Sequence, residues 1–337
     1  MNYCGIDLAS KSSSICIIDE KGKVLREVAV PTETADFAKA LKGFGKLKVI
    51  LEASPLAEMA AQMVEEQGHE VEIIDARLAK QLMAAKKKTD RRDAGTLAQI
   101  GRSGWYHPVH RKSAEARELR SLSQARRQVV KLAHSQASHI RGLLRAQGIR
   151  LGKVSEGQFA DTVRAVVQEQ VPGLASAMGS LLAVLQTAKE EEKRLSKEIT
   201  ARSQADEVTR RLQSVPGVGP MISVLYRATI DDPQRFRRGE EVADYLGLAP
   251  GISQSGDVEY RGRITKEGDK ALRWHLVEGA HSLLTRGQDC ALKRWGLALE
   301  TRKGGAKARV AVARKLAILL WRLWKTKETF QAFPEVA

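Results

Sequence analysis

The sequence predicts an α/β domain over residues 1–108, a long-helix segment of coiled-coil type over 109–205 and a mainly helical domain over 206–337. Three observations lead there. The first hundred residues break into short apolar runs separated by stretches with helical spacing. Residues 113–202 are dominated by apolar repeats of three and four. Charge is also unevenly spread: of a net +16 over 337 residues, 1–108 carry +1, 109–205 carry +8 and 206–337 carry +7. Residues 109–153 alone carry +9. A basic stripe of this kind is the electrostatic footprint of a nucleic-acid binder.

Cys4, Cys16 and Cys290 form neither a CxxC pair nor an even set, so neither a disulfide framework nor a zinc site is implied. No signal peptide is evident. The apolar run Val310–Leu323 is interrupted by Arg314, Lys315 and Arg322 and reads as an amphipathic helix rather than a membrane span. A reducing, cytoplasmic setting is expected.

Taken in order, Tyr3–Leu8 reads as a buried strand ending near Asp7, and Ser14–Asp19 as a second. Glu20-Lys21-Gly22-Lys23 has hairpin-turn composition, and Val24–Val30 alternates as a third strand. Pro31-Thr32-Glu33-Thr34 starts a helix bearing Phe37, Ala40 and Leu41. Lys48–Leu51 is a buried strand with Glu52 at its end. Pro55–Gln67 is a helix stopped by Gly68, Val71–Ile74 a strand, and Arg77–Ala85 a helix. The order β-β-β-α-β-α-β-α describes an antiparallel hairpin followed by parallel crossover units.

The stretch Lys86–Ala94 then sets Asp90 and Asp93 on one helical face, amid Lys87, Lys88, Arg91 and Arg92. Asp90 alone could be a helix N-cap. Two carboxylates three residues apart repel unless a counter-charge intervenes. A hard divalent cation supplies one, and the basic residues suit a phosphate backbone beside it. The element order, with acids at these places, resembles the RNase H-like nuclease fold in its RuvC-type branch. Asp7, Glu52, Asp90 and Asp93 then match that fold's acids. Four carboxylates are enough for two Mg²⁺ ions, with Mn²⁺ able to substitute, clamping the attacking and leaving oxygens of a phosphoryl transfer. An actin-like kinase also opens on a hairpin with an early Asp. It requires a Gly- and Thr-rich phosphate loop, whereas Asp7 is followed by Leu8-Ala9-Ser10-Lys11.

In the middle segment a helix from Ser113 to Gly148, about 50 Å long at 1.5 Å per residue, repeats Leu119, Leu122, Val129, Ala133, Ile140 and Leu143. Arg126 and Gln136 interrupt its seam, and Arg120, Arg127 and Lys131 are among the cations covering its surface. A second helix over Leu174–Arg202 repeats Leu181, Leu185, Ala188, Leu195 and Ile199, and Leu151–Val171 reads as a loop with a short helix. Two long helices with imperfect seams suggest an antiparallel hairpin that dimerises. Farther on, Leu212–Pro220 (LQSVPGVGP) places Gly217 and Gly219 in a turn between helices, which looks like a helix-hairpin-helix element able to offer N–H groups to a phosphate. Ser253-Gln254-Ser255-Gly256-Asp257 reads as a turn, followed by the cations Arg261, Arg263 and Lys266. Neither serine has an assignable acid–base partner, since the facing of His275 and His281 is unknown.

The early Asp7, the Leu51-Glu52-Ala53-Ser54 stretch, Lys88-Thr89-Asp90-Arg91-Arg92-Asp93-Ala94, VPGVGP and GLAP…SGD…GRITKEGDKALR follow one another through the chain. Together they resemble the DEDD transposases of the insertion-sequence "one-ten" family, to which pilin-gene invertases are related. The resemblance spans essentially the whole chain. It implies a RuvC-like domain, a coiled-coil insertion and a C-terminal domain with a nucleophilic serine. It also implies recombination of donor and target DNA guided by a structured RNA. A homodimer is expected, and whether dimers pair into a tetramer on DNA stays open. Carried over by position, Asp7, Glu52, Asp90 and Asp93 match the acidic tetrad and Ser255 the nucleophile. The family's turn is Ser-Ser-Gly-Gly, so Ser253 stays open as the alternative. Arg261, Arg263 and Lys266 would hold phosphates near the serine. The competing readings are a structure-specific DNA endonuclease using metal-activated water, and a non-enzymatic architectural protein.

Overall fold

The apolar runs near the start form β1 (Asn2–Asp7), β2 (Ser12–Ile18) and β3 (Val24–Pro31). They are seen here in a computed structural model that describes residues 1–75, 90–255 and 258–333, without the side chains of 90, 91, 252–259 and 261. Asp19 closes the β2–β3 turn by accepting the N–H groups of Lys21 and Lys23, both at 2.9 Å. Next come α1 (Thr34–Leu41), β4 (Leu47–Glu52), α2 (Ala57–Glu65), β5 (Glu70–Ile74) and α3 (Asp90–Ser103). The helix expected over Arg77–Ala85 lies outside the described residues.

The strands form one sheet in the order β3-β2-β1-β4-β5. β1–β2 and β2–β3 are antiparallel, while β1–β4 and β4–β5 are parallel. The expected hairpin and crossover units are therefore present. Side chains alternate between the faces of a strand, and both faces here are covered. Cys4, Ile6, Ile15, Ile17, Val49 and Leu51 pack on Phe37, Leu41, Ala60, Ala61 and Val64 of α1 and α2. On the opposite face Cys16 and Ile18 meet Ala94 and Ala98 of α3, and Ile50 and Ile74 meet its Leu97 and Ile100. Burial on both faces explains why these strands read as continuous apolar runs.

Gly5 is what lets α3 lie so close. A Cβ there would collide with the Ala94 carbonyl oxygen and stand 2.5 Å from the Ala98 nitrogen and 2.7 Å from the Leu97 Cβ. Gly5→Ala must push the helix off the sheet, with a cost of about 1–3 kcal/mol for the overpacking. The expected result is a lower urea midpoint at unchanged slope; an unchanged midpoint would mean that α3 can shift freely.

The chain folds as two compact units, Met1–Lys112 and Ser113–Ala337. The second begins with α4 (Ala114–Ala146), α5 (Phe159–Gln170) and α6 (Ala175–Ala205). Ser113 caps α4 by accepting the Ala116 N–H at 3.1 Å. The ion pairs Glu118–Arg202 and Arg126–Glu192 run in opposite order along α4 and α6, so the two helices are antiparallel. Arg126, which interrupts the apolar seam, donates to Ser196 Oγ at 2.7 Å and to Glu192 Oε1 at 3.1 Å.

The helical pair is rooted in the C-terminal part of the second unit, because Leu119 and Ile199 pack with Val224 and Ala228. Of the stretches 109–205 and 206–337, read from sequence as separate domains, residues 109–112 lie in the first unit and all the rest in the second. The remaining helices are α7 (Glu207–Gln213), α8 (Pro220–Ile230), α9 (Gly239–Tyr245), α10 (Lys270–Arg286), α11 (Ala291–Lys303) and α12 (Gly305–Thr326). Their core includes Tyr226, whose hydroxyl donates to the Ala317 carbonyl at 2.7 Å. One sequence expectation is corrected here. Ser253 to Ser255 are strand and not turn: β6 (Pro250–Ser255) pairs antiparallel with β7 (Val258–Ile264), matching Ser253 with Tyr260 and Ser255 with Val258. Ser, Gln and Gly are weak strand formers, and the cross-strand ladder overrides their local preference.

Candidate active site

Parity along the strands decides where the acids stand. Asp7 alternates in step with Tyr3 and Gly5, and Glu52 in step with Ile50, so both belong to the face covered by α3. The parallel register sets Ile6 beside Leu51, and its continuation sets Asp7 beside Glu52 at the C-terminal ends of β1 and β4. The direction of α3 supplies the third acid. Gly5 lies under Ala94 while Gly101 lies over Ile50 and Tyr3, so α3 runs against β1 and its N-terminal turn overlies the Asp7 end. Asp93 sits in that turn and is only 8% exposed. Asp90 begins the same helix, but its side chain is outside the described residues, as is that of Arg91. Lys87 and Lys88 lie outside the described residues altogether.

Three carboxylates are thus drawn to one end of the sheet on one face. The donor set is all oxygen, the chemistry that hard divalent cations take. Among the described residues no group of three His, Cys, Asp or Glu side chains is arranged to hold an ion. The N-terminal end of α3 adds a positive dipole beside Asp93. It also projects Arg92, which is exposed.

The second unit holds the other candidates. Ser255 ends β6, with Ser253 two residues earlier on the same strand; their side chains, and that of Arg261 on β7, are outside the described residues. Arg263 and Lys266 are exposed, at the foot of the same hairpin. Arg127 and Lys131 are exposed on α4. Arg120 pairs with Asp269 at 2.7 Å within the fold. Gly217 lies in the turn between α7 and α8. It has a φ of +87° and is pressed against Gly279 of α10, where a Cβ would strike the Gly279 carbonyl, so its glycine is required by packing. Gly219 precedes Pro220 at the start of α8 and has no side-chain cap, but Pro220 contributes no N–H to that end.

Sequence reasoning missed Arg273. It is 9% exposed, and its Nη1 donates to the Leu246 carbonyl at 3.0 Å and the Glu267 carbonyl at 2.7 Å. It ties both feet of the β6–β7 hairpin to α10. The only sequence signal was its place in the run Lys266–Arg273, where it looks like one more surface cation. Arg273→Met keeps the bulk but loses two charge-assisted bonds from a buried site, at roughly 1.5–3 kcal/mol each. We expect a lower melting temperature and faster amide exchange in β6 and β7; exchange unchanged in both strands would deny it this role. His275, on the same helix, is half-buried. Burial, with Arg126 and Arg127 opposing a positive charge and Asp269 favouring one, drops it to about 4, so it is neutral near pH 7.

Acids converging on one end of an α/β sheet, followed by a basic helical unit, are the parts of a DNA-processing protein. Residues 4–147 match the family model for DEDD transposases of the IS110 type, described as "Transposase", and residues 209–295 match that described as "Transposase IS116/IS110/IS902 family". The chain is 28% identical over 333 residues to the "Transposase for insertion sequence element IS1111A" of Coxiella burnetii, covering 97% of this chain and 90% of the relative. It is 29% identical over 333 residues to the "Probable family 20 transposase" of Pseudomonas aeruginosa, covering 96% of each. It is 30% identical over 289 residues to the y4pF/y4sB protein of Sinorhizobium fredii, covering 84% of this chain and 74% of the relative. The chain belongs to the IS110/IS116/IS902 family of transposases. No described helix is long and apolar enough to cross a membrane.

Proposed function

We propose that the chain is a Mg²⁺-dependent DNA recombinase whose first unit is an RNase H-like domain of RuvC type. The supporting observation is the convergence of Asp7, Glu52 and Asp93 on one sheet end, in a chain whose matched families are transposases. On this reading Asp90 completes the set. Bound divalent metal would neutralise charge on the scissile phosphate and on the oxygens that attack and leave it. The sheet fixes the backbone positions of Asp7 and Glu52, and α3 fixes that of Asp93.

Ser255, or Ser253 in its place, is the proposed nucleophile. Its Oγ–P bond forms as the scissile P–O bond to the leaving strand breaks. The hydroxyl proton passes to a carboxylate of the acidic set, and the leaving deoxyribose oxygen takes up a proton. The phosphoserine link conserves the phosphodiester, so rejoining needs no nucleotide triphosphate. Arg263 and Lys266 would hold adjacent phosphates, and Arg127 and Lys131 would hold the nucleic acid more generally. Guidance by a structured RNA, and action as a dimer or tetramer on donor and target DNA, extend the same reading.

The test is to purify the protein with its co-purifying RNA and incubate it with the DNA that flanks its gene, with Mg²⁺ or with chelator. Joined recombinant strands that require Mg²⁺ are expected, with one RNA species enriched. Nicks carrying free 5′-phosphates and no joined product would replace this reading with a hydrolase.

A further inference from the structure

The first turns of α10 carry a surface that the proposed chemistry leaves unused. Trp274 is 59% exposed, yet its ring is held by an edge-on contact with His275, with centroids 4.7 Å apart and 73° between the planes. The helix beneath it is anchored. Asp269 caps α10 through the Leu272 N–H at 2.8 Å and binds Arg120 of α4. This pairing brings α4 alongside, with Arg126 and Arg127 near enough to His275 to oppose its protonation. Arg126 is occupied by Glu192 and Ser196, while Arg127 and Lys131 are exposed.

We propose that Trp274 is a stacking platform for one unpaired nucleobase, with Arg127 binding a neighbouring phosphate and Lys131, one turn farther along α4, extending the cationic track. An exposed indole face accepts any base, because every base has a π-face, and a cation alongside holds the backbone. A duplex presents no free base face to such a platform. An apolar protein partner seated here would meet the exposed Arg127 on the neighbouring helix. Binding of an unpaired strand is therefore what this surface fits. The inference rests on the nucleic-acid reading above but not on its strand chemistry.

The experiment titrates the full chain with a mixed-sequence RNA oligomer, the same sequence as single-stranded DNA, and the DNA duplex. Fluorescence anisotropy and tryptophan quenching are followed together. Trp274→Ala is expected to weaken binding of a single strand roughly five- to 150-fold, the range for one stacked base, and to remove part of the quenching. Duplex binding should stay within about twofold, and Trp274→Phe should keep most of the single-strand affinity. Neutralising Arg127 and Lys131 should lower the single-strand salt slope by up to about 0.7 per lost contact. A loss on RNA, on single-stranded DNA or on both supports the platform and identifies its source. An equal loss on duplex, or no loss on either single strand, overturns it. Asp93→Asn protein is run in parallel: if cleavage there proves normal, Asp93 leaves the proposed acidic set while the Trp274 difference still stands or falls by itself.

Discussion

Asp7→Asn and Asp93→Asn are each expected to reduce Mg²⁺-dependent strand cleavage by about a thousandfold or more, with nucleic-acid binding largely retained. Removing one carboxylate removes a negative oxygen that would hold metal against the phosphate, a loss of several kcal/mol in the transition state. Asparagine preserves shape, so β1 and α3 should keep their places. Asp7 and Asp93 come from different elements, one from a strand end and the other from a helix start. If they serve one site, the double variant should be scarcely worse than either single one, since groups acting as a unit are strongly non-additive. Independent multiplicative losses would mean that they do not share a centre. Near-normal cleavage by either single variant would remove that acid from the proposed set.

Ser255→Ala is the second large effect, with recombination and any denaturation-resistant protein–DNA adduct both expected to disappear. A serine hydroxyl is a weak nucleophile at neutral pH and needs a base or a metal to activate it. β6 and β7 offer no histidine, and His275, lowered to about 4 by burial and by Arg126 and Arg127, is a weak base whose ring lies against Trp274. The proposed activator is therefore the acidic set of the first unit, in the same or another subunit. Mixing Ser255→Ala with Asp7→Asn protein should restore part of the activity if subunits share a site. Each variant lacks one half and supplies the other. A normal adduct from Ser255→Ala, with none from Ser253→Ala, would move the nucleophile two residues along the strand. No adduct from the unsubstituted protein would remove the serine mechanism altogether.

Much of the first unit was legible because its signals are local. Apolar runs of strand length, a turn at Glu20–Lys23 and the 3–4 spacing of Phe37, Ala40 and Leu41 each need only neighbouring residues to be read. The long helices α4 and α6 were legible for the same reason. Their expected limits of Ser113–Gly148 and Leu174–Arg202 fall within a few residues of those observed. Asp7 and Glu52 could be placed at strand ends, since a short buried run stops where a charge appears.

Non-local relations were not legible. Ser253-Gln254-Ser255 has no local strand signal and becomes strand only because a partner strand satisfies its backbone. Arg120 looks like any other cation on a basic helix until Asp269 arrives from about 150 residues away. Arg273 reads as a surface charge, and only the fold buries it against two carbonyls. Gly217 suggested a phosphate loop, and only the fold shows the close crossing of α10 that its missing side chain permits. By itself the sequence determined the elements, the uneven charge and the candidate acids, because propensity, periodicity and composition are properties of neighbouring residues. Only the tertiary structure decided that Asp7, Glu52 and Asp93 share one face at one end. That depends on strand register and on the direction of α3 over Gly5, which are set by packing between residues far apart in the chain.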